Sequence, residues 1–165
     1  MSDSATGDLV EVRILELPVA LRQRSTQYED ELLREMTLIT QQSTEAPTAE
    51  HVPTKLVAFA AEVRSTLSAF TVEGTEAIDS AAAGGVEVID ELVYRVPPSI
   101  GPYCRHILKV IDEADAYCRE GQYLLTLAAP RDVRAYQRWI VGEFIRQTAG
   151  EAPTSWPEFR HRYRG

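Results

Sequence analysis

The chain reads as a mainly α protein: a helical bundle of about four main helices plus a short helix, with room for a minor two-stranded β ribbon. Four stretches carry apolar residues at steps of three and four, the spacing of one helix face. Proline pairs and glycine pairs fall between those stretches and punctuate them. The two segments that alternate apolar with polar, residues 9–15 and 86–96, are short and few.

Residues 1–7 are small and polar and are expected to be loose. Residues 9–15, LVEVRIL, set Val10, Val12 and Ile14 on one side and Glu11 and Arg13 on the other, as a strand does. The long stretch 17–39 places Leu21, Ser25, Tyr28, Leu32, Met36 and Ile39 on one stripe. Pro18 suits its first turn, where the missing N–H costs nothing. Asp30 precedes Arg34 by one turn, a pair that adds a few tenths of a kcal/mol on an exposed face. The helix should fray around residues 41–43. Residues 44–53 hold two prolines and no periodicity, which makes a surface connection.

A second helix is expected over 54–70, with Leu56, Phe59, Ala60, Val63, Leu67 and Phe70 on its apolar face. A loop at 71–74 should lead to a short alanine-rich helix over 75–83, ended by Gly84 and Gly85. Residues 86–96 satisfy both periodicities, but β-branched content and the Pro97-Pro98 stop favour an extended segment, to be paired with 9–15. A third long helix, 99–120, turns Cys104, Ile107, Leu108, Ile111, Ala114 and Cys118 inward, and Gly121 stops it. Residues 122–129, QYLLTLAA, are apolar for a connection and should pack on the bundle. Pro130 opens the last long helix, to about residue 149, with Val133, Tyr136, Ile140 and Phe144 toward the core and Trp139 open between core and interface. Residues 8–150 thus form one helical-bundle domain, and 151–165 a C-terminal extension. That extension ends in Arg160, His161, Arg162 and Arg164, with Phe159 and Tyr163 interleaved.

At 165 residues the chain can bury one core without disulfides or structural metal. No apolar run approaches the roughly 20 residues of a bilayer span, and the N-terminus has no signal-peptide pattern, so a cytoplasmic home is expected and membrane partners are not. A net charge of -8 opposes a broad nucleic-acid footprint. Cys104 and Cys118 stand about four turns apart on one helix, roughly 21 Å by the helical rise, which forbids a bond between them and leaves two reduced thiols.

The sequence offers little catalytic chemistry. His51, His106 and His161 sit in different elements, none in the i, i+4 pair of a helical metal site. There is no phosphate-binding glycine loop and no G-x-S-x-G elbow, so no cofactor and no metal are expected. Asp112, Glu113 and Asp115 form an acidic knot beside Tyr117; a solvated face is its plainest reading, and a docking surface for a basic partner the sharper one. Arg134, Arg138, Trp139 and Trp156 join Asp112 and Asp115 as candidate partner-binding residues, because tryptophan and arginine are favoured at interface hot spots. Trp156, set between prolines, also suits an anchor folded back on the bundle.

The strings LPVALRQRSTQYEDELLREMTLI, VYRVPPSI and DEADAYCREGQYLLTLAAPRDVRAYQRWIVGEFIRQ together resemble a helical module common in actinobacteria. That module occurs alone or beside GHKL-type ATP-binding and anti-anti-sigma-like domains of stress regulation. The resemblance spans residues 10–156. It implies a non-enzymatic interaction module in signalling or sigma-factor regulation, with a protein partner such as an anti-sigma-type ATP-binding regulator. The Asn and Gly-rich motifs of that kinase class are missing, which opposes kinase activity. Two other classes stay open: a small-ligand sensor with an apolar pocket rimmed by Tyr117, Tyr123 and Tyr136, and a helical-bundle enzyme, which would need a clustered acid and base in a cleft. A homodimer through an apolar stripe is compatible with such a bundle.

Overall fold

A computed structural model describes residues 8–42, 52–120 and 128–164. Along the chain come β1 (Val10–Pro18), α1 (Val19–Gln42), α2 (Val52–Ala83), β2 (Val88–Val96), α3 (Ile100–Arg119), α4 (Arg131–Thr148) and α5 (Trp156–Arg162). This is the mainly α bundle with a minor ribbon that the periodicities predict; the short helix, however, is α5 in the C-terminal extension and not the segment 75–83, which belongs to α2. The expected loose N-terminus, most of the connection at 44–53 and most of QYLLTLAA lie outside the described residues.

The ribbon is antiparallel, running from Val10 opposite Val96 to Pro18 opposite Val88. Val12 and Ile14 turn into the core as the alternation requires. Glu16 then adopts a left-handed backbone (φ 57°), which breaks the alternation, so that Leu17 and not Glu16 is buried. The strand therefore runs past the expected end at residue 15, and Pro18 closes β1 instead of opening α1. On the outer edge of β1 the Gln147 side chain acts as a one-residue strand: its Oε1 accepts from the Arg13 N–H and its Nε2 donates to the Arg13 carbonyl, both at 2.8 Å. That edge is thereby closed to further pairing.

One correction concerns residues 71–74, which continue α2 as a single helix of 32 residues in place of a loop between two helices. Gly74 serves here as a point of close approach. A Cβ on it would fall 2.4–2.6 Å from the Tyr94 ring, so only glycine lets α2 lie against β2 at this height. Gly85 (φ 73°) and Gly150 (φ 91°) end α2 and α4 in paired turns: Val86 N–H reaches the Ala81 carbonyl, and Glu151 N–H that of Arg146.

The helices close a ring, α1 beside α2, α2 beside α3, α3 beside α4 and α4 beside α1, with α3–α4 and α1–α2 tightly packed and the α2–α3 seam sparse. Arg64 of α2 bridges Asp30 of α1 at 3.1 Å, so Asp30 pairs across helices and not with Arg34. The main core lies under the ribbon, where Val12, Ile14, Leu17, Tyr94 and Val96 meet Tyr136 and Trp139 of α4 and Trp156 of α5. A second cluster, Leu32, Met36, Leu56, Val110, Ala114 and Cys118, joins α1, α2 and α3 at the other end. No described helix is long and apolar enough to cross a membrane.

Candidate functional site

Between these two clusters the ring does not fill. A pocket of about 740 Å³, partly open to solvent, lies among α1, α2, α3 and α4, within the size range of small-molecule sites. Its origin is visible in α2, whose inner residues Phe59, Ala60, Val63 and Leu67 stay half-buried because they face this space instead of another side chain. Phe59, Val63, Leu67, Ile107, Ile140 and Phe144 supply much of the apolar wall.

The buried uncharged polar groups of the wall gather on one turn of α4 and the facing turn of α1. Ser25 Oγ donates to Glu29 Oε1 at 3.0 Å, and Gln137 Nε2 donates to the same oxygen at 3.1 Å. Because a carboxylate only accepts, this bond fixes the Gln137 amide with its nitrogen toward Glu29 and leaves Oε1 facing elsewhere. Gln137 Oε1 is buried and finds no partner among the described residues. The Tyr136 hydroxyl and Arg134 Nε, both on residues lining the same cavity, are buried without partners as well. Tyr136 is 2% and Gln137 5% exposed, so bulk water does not serve these atoms, and buried polar groups left unmatched are costly. Burial raises the Tyr136 and Tyr28 phenols above their ordinary value. They stay protonated at neutral pH and act as hydrogen-bonding groups, not bases.

The charges near this wall are largely tied. Asp115 Oδ1 accepts from Arg134 Nη2 at 3.0 Å and from the Ala129 N–H at 3.2 Å, while its Oδ2 pairs with Arg119 at 2.7 Å. Arg134 Nη2 also reaches the Ala129 carbonyl at 3.2 Å. Arg22 binds the Thr26 hydroxyl, and Arg138 bridges Asp112. Among the described residues no three His, Cys, Asp or Glu side chains gather as metal ligands.

The six residues expected to face a partner are split by the fold. Asp115 is buried in the network just described, and Arg134 lies within it. Trp139 is 0% exposed, with its Nε1 donating to the Thr154 carbonyl at 2.9 Å, and Trp156 packs beside it at a tilt, with ring centroids 5.4 Å apart. These four are interior groups: in an amphipathic helix the large aromatic falls to the core, and the carboxylate follows its arginine inward. Only Asp112 and Arg138 keep outward surface, bonded to each other. Trp156 does serve as the anchor of the C-terminal segment, and the tail's Phe159 and Tyr163 stack at 5.5 Å.

Of the tyrosines expected to rim a pocket, Tyr136 lines the cavity, Tyr117 packs against the second apolar cluster, and Tyr123 lies outside the described residues. Tyr28, Tyr94, Ser25, Glu29 and Gln137 line the cavity without having been singled out. Ser25 carried a signal, a hydroxyl on an otherwise apolar stripe; Gln137 carried none. Cys104 and Cys118 are free and buried, each thiol pushed up to about 11 by that burial.

Fold and site together define a ring of helices around an amphiphilic chamber. Compared with known proteins, the chain matches no family model, no curated protein and no solved structure.

Proposed function

We propose that the protein is a non-enzymatic ligand-binding module, in which α1 to α4 hold one small molecule with an apolar body and the occupied state is what the protein reports. The observation that carries this reading is the 740 Å³ cavity with unmatched polar atoms on one wall. The apolar walls of a pocket of that size lack apolar neighbours on their inner side, and an occupant supplies them. The ion pairs around it hold the wall in shape and tie up most of its described charges. A regulatory setting, as the actinobacterial resemblance implies, suits a module of this kind, with the ligand as its input.

The experiment uses the neutral apolar fluorophore N-phenyl-1-naphthylamine. Saturable binding near one per chain is expected, abolished by Ala60→Trp, which fills the chamber, and retained by Ala58→Trp on the exposed face of α2. Binding that is unsaturable, or indifferent to Ala60→Trp in a variant that still melts cooperatively, overturns the reading.

A further inference from the structure

Resting on that ligand-binding reading, we infer from the polar wall that the ligand's head is electrically neutral and both donates and accepts hydrogen bonds, as an alcohol does. The three unmatched groups are unlike one another. Gln137 Oε1 can only accept, Arg134 Nε can only donate, and the Tyr136 hydroxyl can do either. All three belong to one turn of α4. A carboxylate would serve Arg134 Nε and Tyr136 but would press its lone pairs on Gln137 Oε1. An ammonium would serve Gln137 Oε1 and Tyr136 but would confront Arg134. A hydroxyl matches each of the three.

The ionic balance points the same way. The Arg134 guanidinium is engaged by Asp115, and Glu29 accepts from both Ser25 and Gln137. Arg64 is paired with Asp30 and Asp112 with Arg138. Arg22 and Glu29 line the cavity without an ion pair among the described residues, one of each sign, and Glu76 is an exposed lining residue. A buried ionised head would need a counter-charge of its own, and, apart from the exposed Glu76, the one unpaired cation and one unpaired anion described on this wall, Arg22 and Glu29, offset each other. The apolar wall beyond, Ile140, Val141 and Phe144 on the next turns of α4, takes the tail.

The test compares four probes of one chain length, 1-nonanol, its methyl ether, nonanoate and nonylammonium, by calorimetric titration of the intact chain. Nonanol is expected to bind at least about fivefold more tightly than the ether, which cannot donate to Gln137 Oε1, and more tightly than either ion. In Gln137→Met the alcohol-to-ether ratio should fall to about one while the ether's own affinity holds, a change that a general loosening of the fold would not produce. Equal binding of alcohol and ether, or nonanoate or nonylammonium binding most tightly, overturns the neutral head and leaves the chamber as a ligand site. Tightest binding of nonanoate with loss in Arg22→Gln would reassign the head to an anion held at Arg22. Failure of all four probes to bind counts against the ligand-binding reading itself.

Discussion

Asp115 shows how much one side chain can organise. It sits near the end of α3 and reaches Arg134 near the start of α4, the Ala129 N–H just before α4, and Arg119 on its own helix. Replacing it by alanine strands a half-buried guanidinium and an amide N–H, so Asp115→Ala should lower stability by about 2 kcal/mol, read by urea denaturation. Asp115→Asn keeps one acceptor and should cost about half of that. Arg138→Ala, which breaks only the exposed bridge to Asp112, should stay within about 0.5 kcal/mol of the native chain. Gly74 is the converse case, a residue whose lack of a side chain matters. Alanine there gains about 1 kcal/mol of helix propensity but drives a methyl into the Tyr94 ring, and overpacking costs about 1–3 kcal/mol. The ring borders the cavity, so a shift of it changes the cavity wall. Gly74→Ala should therefore lower stability by about 1 kcal/mol and weaken fluorophore binding, whereas Gly84→Ala, whose Cβ meets nothing closer than 3.5 Å, should leave binding unchanged.

At the scale of elements, α2 is the least secured helix. Its 32 residues bury few side chains, Leu56 and Ile78 among them, and its seam with α3 is sparse. α4, by contrast, packs on α3, β1 and α1 and buries Val133, Tyr136, Gln137, Trp139, Glu143 and Gln147. Local opening follows the density of buried contacts. Amide exchange should accordingly be faster along the middle of α2 than along α4, and a ligand in the chamber should slow it in α2 most; equal protection of the two helices would contradict this. The same contrast explains what the sequence could reveal. Periodicity located α1, α3 and α4 within a few residues and the alternating pair as partner strands, because those patterns depend only on which face turns inward. It split α2 at Gly74, since a glycine that admits a neighbouring ring looks the same in sequence as one that ends a helix. The chamber stood in the sequence only as one of three open classes, with Tyr136 the one rim residue placed on it: Phe59, Val63 and Leu67 declare an inner face, yet nothing in their spacing says whether the faces they meet are in contact or stand apart. Asp115 was placed outward, and Trp139 left between core and interface, for a related reason, as polar and aromatic chemistry resembles an interface whether it faces a partner or the interior.

For the whole molecule, the protonation of buried groups sets a limit on the alkaline side. Cys104 and Cys118 are pushed up to about 11 from an ordinary value of 9.0, and burial also raises Tyr28, Tyr94 and Tyr136. In each the folded chain holds its proton more tightly than the unfolded chain does. Their contribution is intact below the unfolded values and is lost as pH climbs, because between about 9 and 11 the unfolded state sheds protons that the folded state keeps, and stability falls wherever the unfolded state binds fewer. Each such group lowers stability as pH rises through its window, and the two thiols and three phenols act in the same direction. Urea midpoints should thus hold steady from pH 7 to 8.5 and drop steeply from 9 upward. Cys104→Val, which removes a titrating group from the main core and keeps its apolar volume, should make that fall shallower without shifting its onset, while a midpoint that rises or stays level through pH 10 would mean that these thiols and phenols are not shielded from water as the packing around them requires.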